Sequence, residues 1–342
     1  MKKFMKTFGA LSAAALISGV MLSGCGGNSQ KGTEAAAEPS SSAEESAASS
    51  EAASEADGGK LKVVASFYPM YDFAVKVGGD KAEVINMVPA GTEPHDWEPA
   101  AGDITELEQA GVFVYSGAGM EHWAEDVLES LENKSLISVE ASEGIALRAG
   151  HSHEEEESQE AHEDEHEDEQ YDPHVWLSPL NAKKEMENIK NAFVEADPDN
   201  KEYYETNYET YAAKFDELDQ KFKDTLSGLP NKNIVVSHEA FGYLCDAYGL
   251  NQMGIEGLSP DSEPDPARMA EIIDFVKEND VKIIFFEELV SPKVAEAVAA
   301  ETGASTQVLN PIEGLSDEEM AAGDDYFSVM EKNLTQLEAA LK

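Results

Sequence analysis

Short apolar runs rich in β-branched residues recur along this chain. Each is followed by a helical pattern, and this alternation constrains the fold more than any other feature. In the first half, Leu61-Lys62-Val63-Val64-Ala65-Ser66 reads as a strand and a short helix is expected around Tyr71–Val77. A strand at Val84–Val88, a helix near Ile104–Ala110, a strand at Val112–Tyr115, a helix over Glu121–Leu131 and a strand at Leu136–Val139 complete that half. The second half repeats the scheme. Strands are expected at Asn233–Ser237, Val281–Phe286 and Thr306–Leu309, and helices at Asp265–Glu278, Ser291–Glu301 and Tyr326–Leu341. Alternation of this kind implies α/β lobes with mostly parallel sheets.

Between the halves, Asp197–Gly228 places Tyr204, Tyr208, Tyr211, Phe215, Leu218 and Phe222 at steps of four and three, one helical stripe. Asp197 is suited to cap that helix and Pro198 to open it. A helix of about thirty residues spans roughly 45 Å, long enough to join two lobes rigidly. The same pattern also fits one helix inside a larger single domain.

The start of the chain has a different character. Lys2, Lys3 and Lys6 precede an apolar stretch from Phe8 to Leu22, too short for a stable membrane span. It ends in Leu22-Ser23-Gly24-Cys25, which resembles a bacterial lipobox with Cys25 as the lipidated residue; an ordinary secretory signal is the other reading. From Asn28 to about Gly59 the chain is Ala, Ser, Glu and Gly, which bury too little apolar surface to offset folding entropy. The organisation expected is a signal peptide over 1–24, a lipid-anchored tether over 25–59 and a first lobe over 60–180 with an acidic His-rich loop at 150–170. A linking helical segment over 181–230 and a second lobe over 231–342 follow. The protein is expected outside the cytoplasm, held to the outer face of the cell membrane through Cys25, and monomeric. After Cys25 only Cys245 remains, so no internal disulfide forms. Its apolar surroundings make it a core thiol, with a metal thiolate as the lesser reading.

The formal net charge of −45 argues against nucleic acid as a partner and favours cationic ligands. Part of the excess lies in the tether and in the 150–170 loop.

Eight histidines supply the chemistry. His151, His153, His162 and His166 sit among dense Glu and Asp, a composition that suits a disordered, weak metal-binding tract. A solvated loop without function is the plain alternative. His122 reads as helix surface or as a residue supporting the ligands from behind. The remaining three are isolated: His95 follows the second strand, His174 stands in a Pro-punctuated loop, and His238 directly follows the first strand of the second half. Ligands of open α/β sheets gather at the carboxyl ends of strands, so His95 and His238 are expected to face one interlobe cleft, which the loop of His174 is placed to reach. Pro94 and Pro173 stiffen the chain before two of them. Three neutral imidazoles and one oxygen suit tetrahedral Zn²⁺. Spacing alone does not establish such a site.

Three segments go further. Thr92-Glu93-Pro94-His95-Asp96-Trp97-Glu98-Pro99, Asp172-Pro173-His174-Val175-Trp176-Leu177-Ser178-Pro179 and Ser237-His238-Glu239-Ala240-Phe241-Gly242-Tyr243 resemble, in order, the ligand motifs of the zinc/manganese substrate-binding lipoproteins of ABC importers. The resemblance runs from about Lys62 to Lys342. It implies two (β/α) lobes joined by a rigid helix, a metal between them, and a partner permease with its ATPase. It also implies an acquisition or sensing role for the His-rich loop. Manganese-type members resemble this chain but carry Glu where His238 stands, and imidazole there favours zinc over the harder ion. For the fourth ligand, many members use Asp where this chain has Asn310. Glu313 resembles the carboxylate that Gram-positive zinc-type members supply from this loop, with water as its competitor and Glu287 and Glu288 as further candidates.

The function expected is capture of Zn²⁺ and delivery to an ABC permease, without catalysis. A manganese- or iron-type receptor of the same family is the nearest alternative. A zinc hydrolase is disfavoured because the sequence has no His-Glu-x-x-His helix and Glu239 adjoins His238 directly. A surface adhesin has no repeat or exposed apolar stretch to support it.

Overall fold

Among the described residues, the strands of both sheets pair in parallel throughout, and a single antiparallel bridge joins Ala149 to Tyr171 outside them. The computed structural model describes residues 59–150, 171–260 and 264–342. Cys25 and the histidines at 151, 153, 162 and 166 lie outside them, as do 1–24 and nearly all of 25–59.

The first lobe runs β1 (Leu61–Ala65), α1 (Tyr68–Gly78), β2 (Ala82–Asn86), α2 (Ala101–Gln109), β3 (Val112–Tyr115), α3 (Ala124–Ser130) and β4 (Ile137–Glu140). Two helices follow, α4 (Pro179–Ala196) and α5 (Lys201–Leu226). The second lobe runs β5 (Asn233–Val236), α6 (Gly242–Tyr248), β6 (Asn251–Gly254), α7 (Pro266–Glu278), β7 (Ile283–Phe286), α8 (Lys293–Thr302) and β8 (Ser305–Val308). It closes with α9 (Asp317–Ala322) and α10 (Tyr326–Leu341).

The sheets have the same order, β2-β1-β3-β4 and β6-β5-β7-β8. Val63 pairs with Val84 on one side and Val112 on the other, and all three strands are rich in β-branched residues that suit a sheet covered on both faces. In each sheet the chain leaves the first strand for one side and returns on the other. The crevice for ligands therefore opens beyond the ends of β1 and β3, and of β5 and β7.

The parallel α/β lobes expected from the alternation are present, with shifted edges. Helix α1 starts at Tyr68, because Pro69 fits a first helical turn. Strand β2 is set two residues earlier than expected, in register with Leu61–Ala65. Asp197 does not cap α5: its carboxylate accepts from the Tyr204 hydroxyl at 2.7 Å and from Asn200, and Pro198–Asn200 form a 3₁₀ turn before the helix. The linking helical segment expected over 181–230 divides into two helices, α4 and α5, and the sequence reading lacked α6, β6 and α9. All three are seven residues or shorter, below the length at which periodicity speaks.

Helix α5 has 26 residues, about 39 Å at 1.5 Å each. Its stripe is buried at Tyr204, Phe215, Leu218 and Phe222, while Tyr208 and Tyr211 pack at the edge. The stripe meets both halves of the molecule. Tyr204 packs against Phe193 of α4 and Phe215 against Phe73 of α1, while Phe222 stacks on Tyr248 of α6. Phe215 also touches Tyr326 of α10. One apolar core therefore runs through the long helix, and hinging the lobes would open it.

Candidate metal centre

Four loops deliver one polar side chain each to a single point. His95, His174, His238 and Glu313 present ligand atoms that all lie within 4.8 Å of one another. Among the described residues no other group of three or more His, Cys, Asp or Glu side chains gathers in this way.

His95 lies in the loop after β2, where its backbone N–H donates to the Glu93 carboxylate at 3.0 Å. Trp97 in the same turn packs edge-on against Trp123, anchoring the loop to the lobe. Its imidazole is the accessible member, about 10% exposed; the other three are buried.

His238 stands two residues beyond β5 and Glu287 one residue beyond β7, at the switch point of the second sheet. Glu287 Oε1 lies 2.6 Å from His238 Nδ1. Asp172 does the same for His174: its Oδ1 accepts from the His174 backbone N–H at 3.0 Å and lies 2.8 Å from Nδ1. A carboxylate behind Nδ1 keeps the proton there and leaves Nε2 as the donor toward the centre.

Glu313 comes from the loop after β8. Asn310 shapes that loop: its side-chain oxygen accepts from Ile312 N–H at 2.7 Å, and its backbone is clamped from both sides by Asn333. Ile312 is held at φ +62°, a costly conformation for a β-branched residue. The turn it makes aims the next side chain, Glu313, inward. Trp176, two residues past His174, donates to the Pro311 carbonyl at 2.8 Å, and the Tyr326 hydroxyl donates to the Trp176 carbonyl at 2.7 Å.

The separations fit a small tetrahedral ion. His174 Nε2 is 3.2 Å from His95 Nε2, 3.1 Å from His238 Nε2 and 3.0 Å from Glu313 Oε1. Glu313 Oε1 is also 3.2 Å from the Nε2 atoms of His95 and His238. Bonds of about 2.0–2.1 Å to a central Zn²⁺ put tetrahedral neighbours about 3.3–3.4 Å apart. Across these five pairs the donor atoms need to separate by only a few tenths of an ångström.

Charge is arranged for a cation. Burial pushes the Glu313 carboxyl up, but facing His238 and His95 and bonds from His174 and His238 hold it well below the usual range. Burial pushes His238 down, yet Glu287 and Glu313 outweigh it and hold the imidazole well above its ordinary value. His174 is likewise depressed by burial and raised, on balance, by Asp172 and Glu313. These shifts favour protons shared between imidazoles and carboxylates when no metal is bound. A divalent cation replaces them.

The further carboxylates named from sequence stand elsewhere. Glu287 serves His238 from behind, and Glu288 accepts from Asn310, its carboxyl pushed up to about 7 by burial. His122 is exposed, with Glu98 at 3.8 Å. Cys245 is buried, where desolvation pushes the thiol up and keeps it unreactive. The sequence reading missed Asp172, although an Asp two residues before a loop His is a usual partner for its backbone N–H.

A family model described as the periplasmic zinc-uptake complex component A matches residues 63–340. The high-affinity zinc uptake system protein ZnuA of Bacillus subtilis is 46% identical over 288 residues, which cover 84% of this chain and 90% of that protein. The zinc-binding lipoprotein AdcA of Streptococcus pneumoniae is 43% identical over 283 residues, 83% of this chain; the match spans just over half, 56%, of AdcA itself. The solved Zn(II)-bound ZnuA-like domain of Streptococcus pneumoniae AdcA superposes with a TM-score of 0.70 at 40% identity, over 83% of this chain and 99% of that domain.

Proposed function

The chain belongs to the zinc-uptake component A family of solute-binding receptors, and from that premise we propose that it captures Zn²⁺ outside the cytoplasmic membrane and hands it to an ABC permease. His95, His174, His238 and Glu313 are the ligands in this reading. The observation that carries it is the convergence of three imidazole nitrogens and one carboxylate oxygen at tetrahedral spacing in a buried place. Zinc enters on the side of His95, the least buried of the three rings, and displaces the protons favoured among the buried groups. Nothing is transformed: the ion is cargo, bound here and released to the permease, whose transport a separate ATPase drives.

The donor set supports zinc over manganese, because imidazole nitrogen outnumbers carboxylate oxygen. We further propose that Cys25 carries a lipid that holds the protein at the outer face of the cell membrane. In the same reading His151, His153, His162 and His166 gather zinc weakly, and the receptor works as a monomer. Competition of the metal-free protein against a chromophoric chelator, with zinc and with manganese, tests the central reading. The expected result is one tight zinc site that manganese displaces poorly; equal affinity for both ions counts against it.

A further inference from the structure

The stretches that carry His174 and His238 are fastened together by residues that are not themselves in the ligand set. The Tyr243 hydroxyl donates to the Asp172 carbonyl at 2.9 Å and accepts from the Arg148 backbone N–H at 2.9 Å. Arg148 spans the same gap with its side chain. Nη1 lies 3.6 Å from Asp172 Oδ2, and Nε donates to Asp246 Oδ2 on α6 at 3.1 Å. A backbone bond from Asp172 N–H to the Arg148 carbonyl closes the arrangement at 2.9 Å.

Gly242 opens α6, four residues after His238. Its φ is not in the left-handed region, so the backbone does not call for glycine. Space does. A Cβ at this position collides with Asp172 Oδ2 and stands 2.8 Å from Arg148 Nη1. Asp172 cannot yield independently, because its other oxygen holds the His174 ring and backbone. A displaced Asp172 therefore moves His174.

We propose that Gly242, Tyr243 and Arg148 form a clasp across the lobe boundary that sets the position of Asp172, and through it the distance of the His174 ring from His238. They are positioning residues for zinc, and the proposal rests on the zinc-receptor reading above. The clasp converts close packing between Gly242 and Asp172 into the spacing of two donor atoms 3.1 Å apart.

The test is a double-mutant cycle on the purified protein, reading zinc affinity by chelator competition and Co²⁺ coordination by its visible d–d absorption. Gly242→Ala is expected to weaken zinc about tenfold or more and to alter the Co²⁺ spectrum, as losses of partners behind metal ligands do. Asp172→Ala is expected to weaken zinc by a similar factor, and Gly242→Ala added to it is expected to cost nothing further. Tyr243→Phe, which adds no bulk, is expected to weaken zinc severalfold while preserving the fold. Wild-type affinity in Gly242→Ala or in Tyr243→Phe overturns the clasp, and so do losses that multiply in the double variant. Loss of folding in Gly242→Ala leaves Tyr243→Phe to decide. Failure of the zinc reading itself is separate, since it shows as absent tight binding in the wild-type protein.

Discussion

The Trp176 indole N–H donates to the Pro311 carbonyl at 2.8 Å, joining the loop of His174 to the loop of Glu313. Trp176 is fully buried, so without this bond the carbonyl has no replacement partner from water. Trp176→Phe keeps the ring and removes the donor. It should lower stability by about 1–3 kcal/mol in chemical denaturation. It should also weaken zinc binding, because the His174–Glu313 spacing loses a tether. Unchanged zinc affinity means that the two loops are held by packing alone.

Glu313 is the one anionic donor among the four. Glu313→Ala should weaken zinc, though less than His174→Ala or His238→Ala, since water can enter as a fourth oxygen. Titration of each variant checks the order. Affinity unchanged by Glu313→Ala would assign the fourth position to water.

His238→Glu should move preference from zinc toward manganese by exchanging nitrogen for carboxylate oxygen. The readout is the ratio of zinc to manganese affinity. An undiminished ratio removes the physical basis for the zinc assignment.

The raised imidazoles give a pH dependence of definite sign. Zinc takes neutral imidazole, while Asp172, Glu287 and Glu313 hold protons on His174 and His238 in the metal-free protein. Affinity should therefore be full above the raised values and fall as pH drops through them. The decline should begin above the ordinary histidine value of about 6.5. Metal-free stability runs the other way: the His-carboxylate pairs contribute fully below the ordinary value and are lost as pH rises through the folded one. Zinc affinity measured between about pH 5 and 8 tests this, and a midpoint below the ordinary value contradicts it.

Glu185 on α4 carries a second pH effect. It is fully buried, and neither oxygen has a hydrogen-bond partner among the described residues. Burial and the nearby Glu121 carboxylate hold its carboxyl well above the usual range, with Ser116, Tyr243 and Tyr326 also close. Folding therefore favours the protonated acid, and this contribution is lost as pH rises through the folded value. Glu185→Gln keeps the shape and cannot ionise, so its stability should fall less steeply with rising pH than that of the wild type. Parallel slopes in denaturation series would show that Glu185 is already ionised.

The lobes and the long helix were legible because their signals are local. Val63, Val84, Val112 and Ile284 sit in short β-branched runs, and the stripe from Tyr204 to Phe222 has an unbroken helical step. Helix α6 and strand β6 were not legible. Gly242–Tyr248 is a helix because Tyr243, Leu244 and Cys245 pack into the core, a tertiary cause that no window of seven residues displays. The site divides in the same way. His95, His174 and His238 stood out through their motifs, and Glu313 through resemblance. Asp172 was within local reach of His174, but Glu287 acts only once folding brings it behind His238, and the turn at Asn310–Ile312 gains its meaning from Asn333, 23 residues on.

A crystal of the zinc-loaded protein, with anomalous differences collected at the zinc edge, addresses the central claim. The account predicts one strong peak bonded to Nε2 of His95, His174 and His238 and to a carboxylate oxygen of Glu313, at about 2.0–2.2 Å each. A peak that lacks two or more of those contacts, or lies elsewhere in the chain, contradicts it.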